Sequence, residues 1–380
     1  MESQFVTEFK RNWLIYIFGI IISLTGTFII IWNEGRAVKV AKSLEDALNA
    51  CVTLNDKGPI PLWEFEGDLV HLSGPLQINE PLTEPDYNIE VSAVKLKRRV
   101  QMYQWIEEKI EHAQGEDTVM SRVDTDYYYN KEWRDRIVDS DSFYFRSTHV
   151  NPKDFPVKTH IYVSEHVKIG ALQLGDVAKN KFNKFVEVTS DERPERPDIK
   201  LHSGMYYHCF NIFYPEIGDI RIQFSYAGLS GDVYTIIGQQ VNNEIKPFKT
   251  SNGLEVLLLF PGDLTIQQAF TKEHSEKLLE TWGFRAAGWF LLFCSTTCLM
   301  TLINLFLERY RNLYIIITER SPVSASLTLS LSGALLITAL AWVCHRPVMG
   351  ASLAAASVSP FFYYAVALYN AYQGNNYHRM

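Results

Sequence analysis

Thr281-Trp282-Gly283-Phe284-Arg285-Ala286-Ala287-Gly288-Trp289 is the stretch at which a charged chain turns apolar. Upstream lies a long charged region. Downstream the chain is almost continuously apolar to Tyr369, apart from short connectors that carry arginine. From Thr265 to Trp282 the pattern is helical, with Ile266, Ala269, Phe270, Leu278 and Leu279 spaced for one face and Asp263 placed to cap the start. The helix is expected to continue through Gly283 into a bilayer. Arg285 would then reach the headgroups, and Ala286, Ala287 and Gly288 would be free to pack. A water-soluble helix runs into this stretch and a membrane helix runs out of it.

Working outward, residues 283–307, 323–344 and 348–369 are each long and apolar enough to cross a bilayer. The connector Cys344-His345-Arg346-Pro347 is so tight that the last two helices must form an antiparallel hairpin. Ala351, Ala355 and Ser359 give the last helix a smooth stripe for that packing. At the other end, Trp13 to Trp32 carries no charge and at about 1.5 Å per residue spans about 30 Å, one hydrocarbon core. It is too long for a signal-peptide apolar region and ends in Ile29-Ile30-Ile31-Trp32 with no small-residue cleavage site, so a retained anchor is expected. Gly19, Ser23 and Thr27 form a small-residue stripe on it. The expected order is a tail (1–12), span 1 (13–32), a large soluble domain (33–282), span 2 (283–307), a connector (308–322), span 3 (323–344), span 4 (348–369) and a tail (370–380).

The 250 residues from Asn33 to Trp282 carry a net charge of −11, against +4 for the rest of the chain. An acidic domain of this kind lacks the Lys and Arg stripes that nucleic acid requires, so no nucleic-acid partner is expected. Asn33-Glu34-Gly35-Arg36 reads as a helix break, and Ser43 with Asp46 as a near capping box for a short helix beyond it. Period-two alternation marks Ala93 to Ile106 as a half-buried strand. Other strand-like runs are Leu69–Leu72, Ile89–Val91, Tyr127 onward, His160–Val163, Met205–Phe213, Gly218–Gly228, Val233–Gln239 and Leu254–Phe260. A short helix is expected around Leu172–Asn183. The Pro-rich segment 191–198 is the best internal boundary. The soluble domain therefore reads as α+β, mostly antiparallel strands.

Chemistry is harder to find. No Gly-x-Ser-x-Gly, Walker-type loop, His-Glu-x-x-His or paired Cys-x-x-Cys occurs. Gly228-Leu229-Ser230-Gly231-Asp232 is superficially like a nucleophile elbow but is better explained as a hairpin turn. His160/His166 and His202/His208 are too widely spaced for a one-turn metal clamp. Lys95-Leu96-Lys97-Arg98-Arg99 reads as the solvated face of a strand before it reads as a phosphate or lipid site. The aromatic run Tyr127 to Trp133 reads as packing before it reads as a pocket. Of five cysteines, only Cys51 and Cys209 lie in the soluble domain, and the sequence leaves their pairing open. No catalytic, cofactor-binding or metal-ligating residue is assigned. A channel is the weakest reading, because the spans offer only Arg285 at an edge and polar Asn304.

Four spans put both termini on one side and the large domain on the other. The short connector holding Arg309, Arg311 and Arg320 favours the cytosol for itself and for the tails. The absence of an Asn-x-Ser/Thr sequon leaves glycosylation no say in the matter.

Several stretches carry a likeness at once. They are Asn33-Glu34-Gly35-Arg36-Ala37-Val38-Lys39, Ala93-Val94-Lys95-Leu96 with Tyr103-Gln104-Trp105, and Tyr129-Asn130-Lys131-Glu132-Trp133-Arg134. Further along come Tyr214-Pro215-Glu216-Ile217-Gly218-Asp219 with Phe224 to Gly231, and then Thr281 to Trp289. In order and spacing along nearly the whole chain they resemble the transmembrane protein 43 (LUMA) family. Tails, loop lengths and the surroundings of Arg346-Pro347 depart more.

The resemblance implies a four-span α-helical protein of the endoplasmic reticulum and inner nuclear membrane, with its large strand-rich domain in the lumen. It implies a non-enzymatic scaffold that self-associates, sits among membrane lipids and helps organise nuclear-envelope complexes, including lamins and emerin-like proteins. The alternative is a membrane-bound enzyme or lipid-binding protein acting through the luminal domain. The resemblance brings no catalytic motif and no cofactor.

Overall fold

The computed structural model describes residues 2–54, 62–112, 124–189, 196, 198–307, 322–343 and 346–377. Its helices are α1 (Glu2–Ala50), α2 (Asp176–Asn180), α3 (Ile266–Leu307), α4 (Pro322–Val343) and α5 (Pro347–Tyr377). The chain divides into two compact units. A helical one comprises Met1–Asn49, Thr250–Leu254 and Phe270–Met380, and a strand-rich one comprises Ala50–Lys249 and Glu255–Ala269.

In the helical unit α1, α3, α4 and α5 are all long and apolar enough to cross a membrane. Glycine lets α1 and α3 approach closely. A Cβ added at Gly288 would stand 2.6 Å from Ile30 Cγ1, and one at Gly26 would stand 3.1 Å from the Gly288 carbonyl oxygen. Ser295 donates its hydroxyl to the Gly19 carbonyl at 2.8 Å, a bond that a lipid-facing hydroxyl would lack. Ile30, Leu292 and Ala334 form a small core shared by α1, α3 and α4. Helix α5 turns back on α4 with Gly350 against Val343 and the Ala339 carbonyl.

The strand-rich unit holds two sheets. In the first, hydrogen bonding runs from Leu69–Ile78 to Val167–Ile169, Leu172–Leu174, Glu244–Lys246 and Val233–Val241, and then back to Leu69–Ile78, closing a small barrel. Cys51–Thr53 and Leu258–Pro261 add to its flanks. Its inward residues, Val70, Leu72, Leu76, Ile169, Leu174 and Ile236, are buried together, so the barrel is filled with side chains. At Gly238 any Cβ would lie 2.5 Å from Ile245 Cγ2, which leaves room for glycine alone.

The second sheet has the order Ile199–His202, Met205–His208, Ile220–Leu229, Ala93–His112, Asp124–Arg134, all antiparallel, with Val186–Glu187 and His160–Val163 at its sides. Ala93–His112 pairs with Ile220–Leu229 through its first half and with Asp124–Arg134 through its second. Leu96, Val100, Met102 and Gln104 are buried, as its alternation requires. They belong to a face that packs with Tyr87, Tyr206 and Phe224, whose ring centroids lie 5.2–5.7 Å apart. Buried Gln104 is fully engaged, donating to the Arg136 carbonyl at 2.9 Å and accepting the Val138 N–H at 2.8 Å.

Several expectations are corrected. Helix α1 does not break at Asn33–Arg36 but continues to Ala50; Gly35 and Asn33 cost it propensity, and side-chain bonds described below offset that cost. Ser43 is therefore interior to a helix, and its hydroxyl bonds Thr250 Oγ1 at 3.1 Å. Thr265, not Asp263, caps α3. Its N–H donates to Gln268 Oε1 at 3.0 Å while its hydroxyl accepts the Gln268 N–H at 3.3 Å, a reciprocal capping box. Leu278 and Leu279 are exposed rather than on a buried face. The expected helix at Leu172–Asn183 is a strand followed by the five-residue α2. Leu229–Asp232 is a turn, but not of a hairpin, since the strands on its two sides lie in different sheets. Ala351, Ala355 and Ser359 are exposed and do not form the face toward α4. The boundary at 191–198, most of the connector 308–322 and the end of the 370–380 tail lie outside the described residues.

Candidate functional site

The helical unit gathers its charges where α1 leaves its apolar run, α3 enters its own, and α4 ends. Glu34, 1% exposed, accepts Arg285 Nε at 2.6 Å and Arg285 Nη2 at 2.8 Å, a bidentate fork. Trp342 Nε1 of α4 donates to the same carboxylate at 2.6 Å. One carboxylate thus ties three helices. The expectation that Arg285 reaches for headgroups gives way to this ion pair. A carboxylate this deep is costly to bury unless a cation and donors stand against it.

A second layer lies one turn along. Asn33 Nδ2 donates to the Thr281 carbonyl at 3.1 Å, and Arg36 Nη1 donates to Glu280 at 2.9 Å. The Arg36 guanidinium stands over the Trp32 and Phe284 rings at 5.5 and 5.1 Å, and Arg285 stands over Trp282 at 4.8 Å. Planar guanidinium suits both the fork and the stacking, and lysine would supply neither. With each Glu34 oxygen accepting a short bond, the arrangement fastens the helices to one another.

The family described as Transmembrane protein 43 matches residues 102–347, which include Arg285 and Trp342. The chain belongs to the transmembrane protein 43 family. It is 43% identical over 373 residues to the Transmembrane protein 43 homolog of Drosophila melanogaster, covering 98% of each chain. It is 34% identical over 355 residues to Transmembrane protein 43 of Homo sapiens, covering 90% of this chain and 87% of the human one. To Transmembrane protein 43 of Pongo abelii it is 33% identical over 372 residues, covering 94% and 91%. No solved structure matches.

Elsewhere in this transmembrane protein 43 family member, the residues singled out from sequence are put to structural use. Lys95 is buried and donates to the Asn180 carbonyl at 3.0 Å, and its burial lowers its pKa. Arg98 Nη1 donates to both Glu84 carboxylate oxygens, at 2.7 and 3.0 Å. Lys97 stands over the Phe185 ring, and Arg99 pairs with Asp135 at 3.5 Å. The basic cluster is therefore only in part the solvated face expected, since Lys95 and Arg98 turn inward. Ser230 donates weakly to the Leu76 carbonyl at 3.4 Å within a turn that holds Gly228 and Gly231 at positive φ.

His208 bonds Tyr87 at 3.1 Å, His160 packs on Tyr162, and His202 packs on Phe213. Among the described residues no cluster of His, Cys, Asp and Glu could hold a metal. Cys51 and Cys209 are free thiols. The aromatic run is packing: Tyr129 stacks on His149 at 3.8 Å and donates to Glu107 at 2.5 Å.

Sequence reasoning missed Glu34 and Trp342 as parts of a site. The available signal was a lone carboxylate just past span 1 and a lone arginine just inside span 2, on the same side of the membrane by span count.

Proposed function

We propose that the protein is a non-enzymatic scaffold of the endoplasmic reticulum and inner nuclear membrane. It self-associates in the bilayer and holds its strand-rich domain in the lumen, and it helps organise nuclear-envelope complexes that include lamins and emerin-like proteins. The observation that carries the reading is the outward face of α5. Ala351, Ala355 and Ser359 recur at intervals of four residues and are all exposed, while Gly350 on another face meets α4. Small residues at that spacing let a second helix come close enough for backbone contact, which is how helices associate where lipid removes the hydrophobic drive. The Glu34 fastener supports the same reading, because a scaffold needs its helices held in one arrangement.

The test is the oligomeric state of the full-length protein in detergent and in nanodiscs, by light scattering and cross-linking. An oligomer is expected, with Ala351→Leu and Ala355→Leu each weakening association at least tenfold while leaving thermal stability unchanged. A strict monomer at membrane-like concentration, or variants that associate normally, overturns it.

A further inference from the structure

Beside the fastener lies a half-open cavity of about 1020 Å³ bounded by α1, α3, α4 and α5. Its two ends differ in chemistry. Ile30, Trp289, Leu331, Ala334, Leu335 and Leu353 line the end that falls within the apolar runs. Arg36, Lys42, Lys277, Arg285 and Arg346 line the other, where those runs stop, against Glu45 as the single lining carboxylate among the described residues. Arg285 is spent on Glu34, Arg36 on Glu280, and Lys277 on Glu280 and Glu273. Lys42 and Arg346 have no carboxylate partner among the described residues. Two buried donors on the lining, Arg36 Nε and Trp289 Nε1, likewise bond nothing there.

A cavity with an apolar end at hydrocarbon depth and a cationic end at headgroup depth is complementary to one kind of molecule. A ligand that fills the apolar end must carry a hydrocarbon part, and an uncharged lipid leaves Lys42 and Arg346 without a counter-charge. Its volume is at the upper end of the roughly 300–1,000 Å³ usual for ligand sites, which suits a headgroup with part of an acyl chain. We propose that this cavity binds an anionic glycerophospholipid. Its phosphate lies between Lys42 and Arg346, and an acyl chain runs along Trp289, Leu331 and Leu335. The lipid shields like charges from one another and fills space that the helices alone leave open.

The experiment is native mass spectrometry of the full-length protein after delipidation and incubation with defined mixed micelles. Phosphatidic acid or phosphatidylinositol is compared with phosphatidylcholine, and inorganic phosphate serves as a competitor. Retention of one anionic lipid per chain is expected, at least tenfold over phosphatidylcholine and undiminished by millimolar phosphate. Lys42→Gln with Arg346→Gln should lower retention at least tenfold, and Leu335→Trp should abolish it, with the folded fraction confirmed by thermal unfolding. Equal retention of phosphatidylcholine overturns the proposal. So does displacement by free phosphate, or full retention by the folded Leu335→Trp protein.

Discussion

Glu34 sits where the apolar runs of three helices stop, and its carboxylate is held by two arginine N–H groups and an indole N–H. Removing one member of such a pair strands the other. The usual cost is about 3–5 kcal/mol, whereas removing both charges together is often close to neutral. Glu34→Gln and Arg285→Gln are therefore each expected to destabilise the helical unit by several kcal/mol, and the double variant is expected to lose less than the sum. Thermal unfolding read through the free thiols Cys294 and Cys298 of α3 checks this; additive losses would mean the two side chains do not act together. At this scale the sequence was half legible. Arg285 stood out as the one charge inside an apolar run, but its partner lies 251 positions away in the chain, and no local pattern records such a contact. Glu34 read as part of a helix break because Asn33 and Gly35 beside it are poor helix formers. The bonds that keep α1 helical there come from α3 and α4.

At the scale of elements, α1 and α3 run well past the apolar segments that announced them. Apolar length marks the membrane-crossing part of a helix, while its extension rests on capping and packing. The Thr265–Gln268 box is legible in retrospect as Thr-x-x-Gln, one residue pair away from the cap expected at Asp263. Glycine has unequal roles along α3. Gly288 faces Ile30 closely, whereas nothing lies within 4 Å of a Cβ at Gly283. Gly288→Leu is expected to separate α1 from α3 and destabilise by about 1–3 kcal/mol. Gly283→Ala should be neutral or stabilise by up to about 1 kcal/mol through helix propensity. Denaturant or thermal unfolding of both variants in one detergent checks the contrast, and equal effects would place the α1–α3 contact elsewhere. The strands were read well where one face is buried, as at Leu96, Val100 and Met102. The closure of Leu69–Ile78 on Val233–Val241 was not, because it joins segments far apart in sequence.

For the whole molecule, the apolar runs and the charge difference between the two parts marked out four membrane-crossing helices and a strand-rich unit. Beyond the expectation of no nucleic-acid partner, periodicity and charge had nothing to say about partners, because a docking surface on a folded domain leaves no period in the sequence. The proposed scaffold role rests on the outward face of α5 and on the fastening of the helices. The measurement that tests it most directly is proximity labelling of the full-length protein from both sides of the membrane, followed by mass spectrometry, with a membrane anchor of matched abundance as control. The account predicts labelling of the strand-rich domain from the luminal side only, and enrichment of nuclear-envelope proteins over the control. Labelling of that domain from the cytosolic side, or a neighbour set no different from the control's, would contradict it.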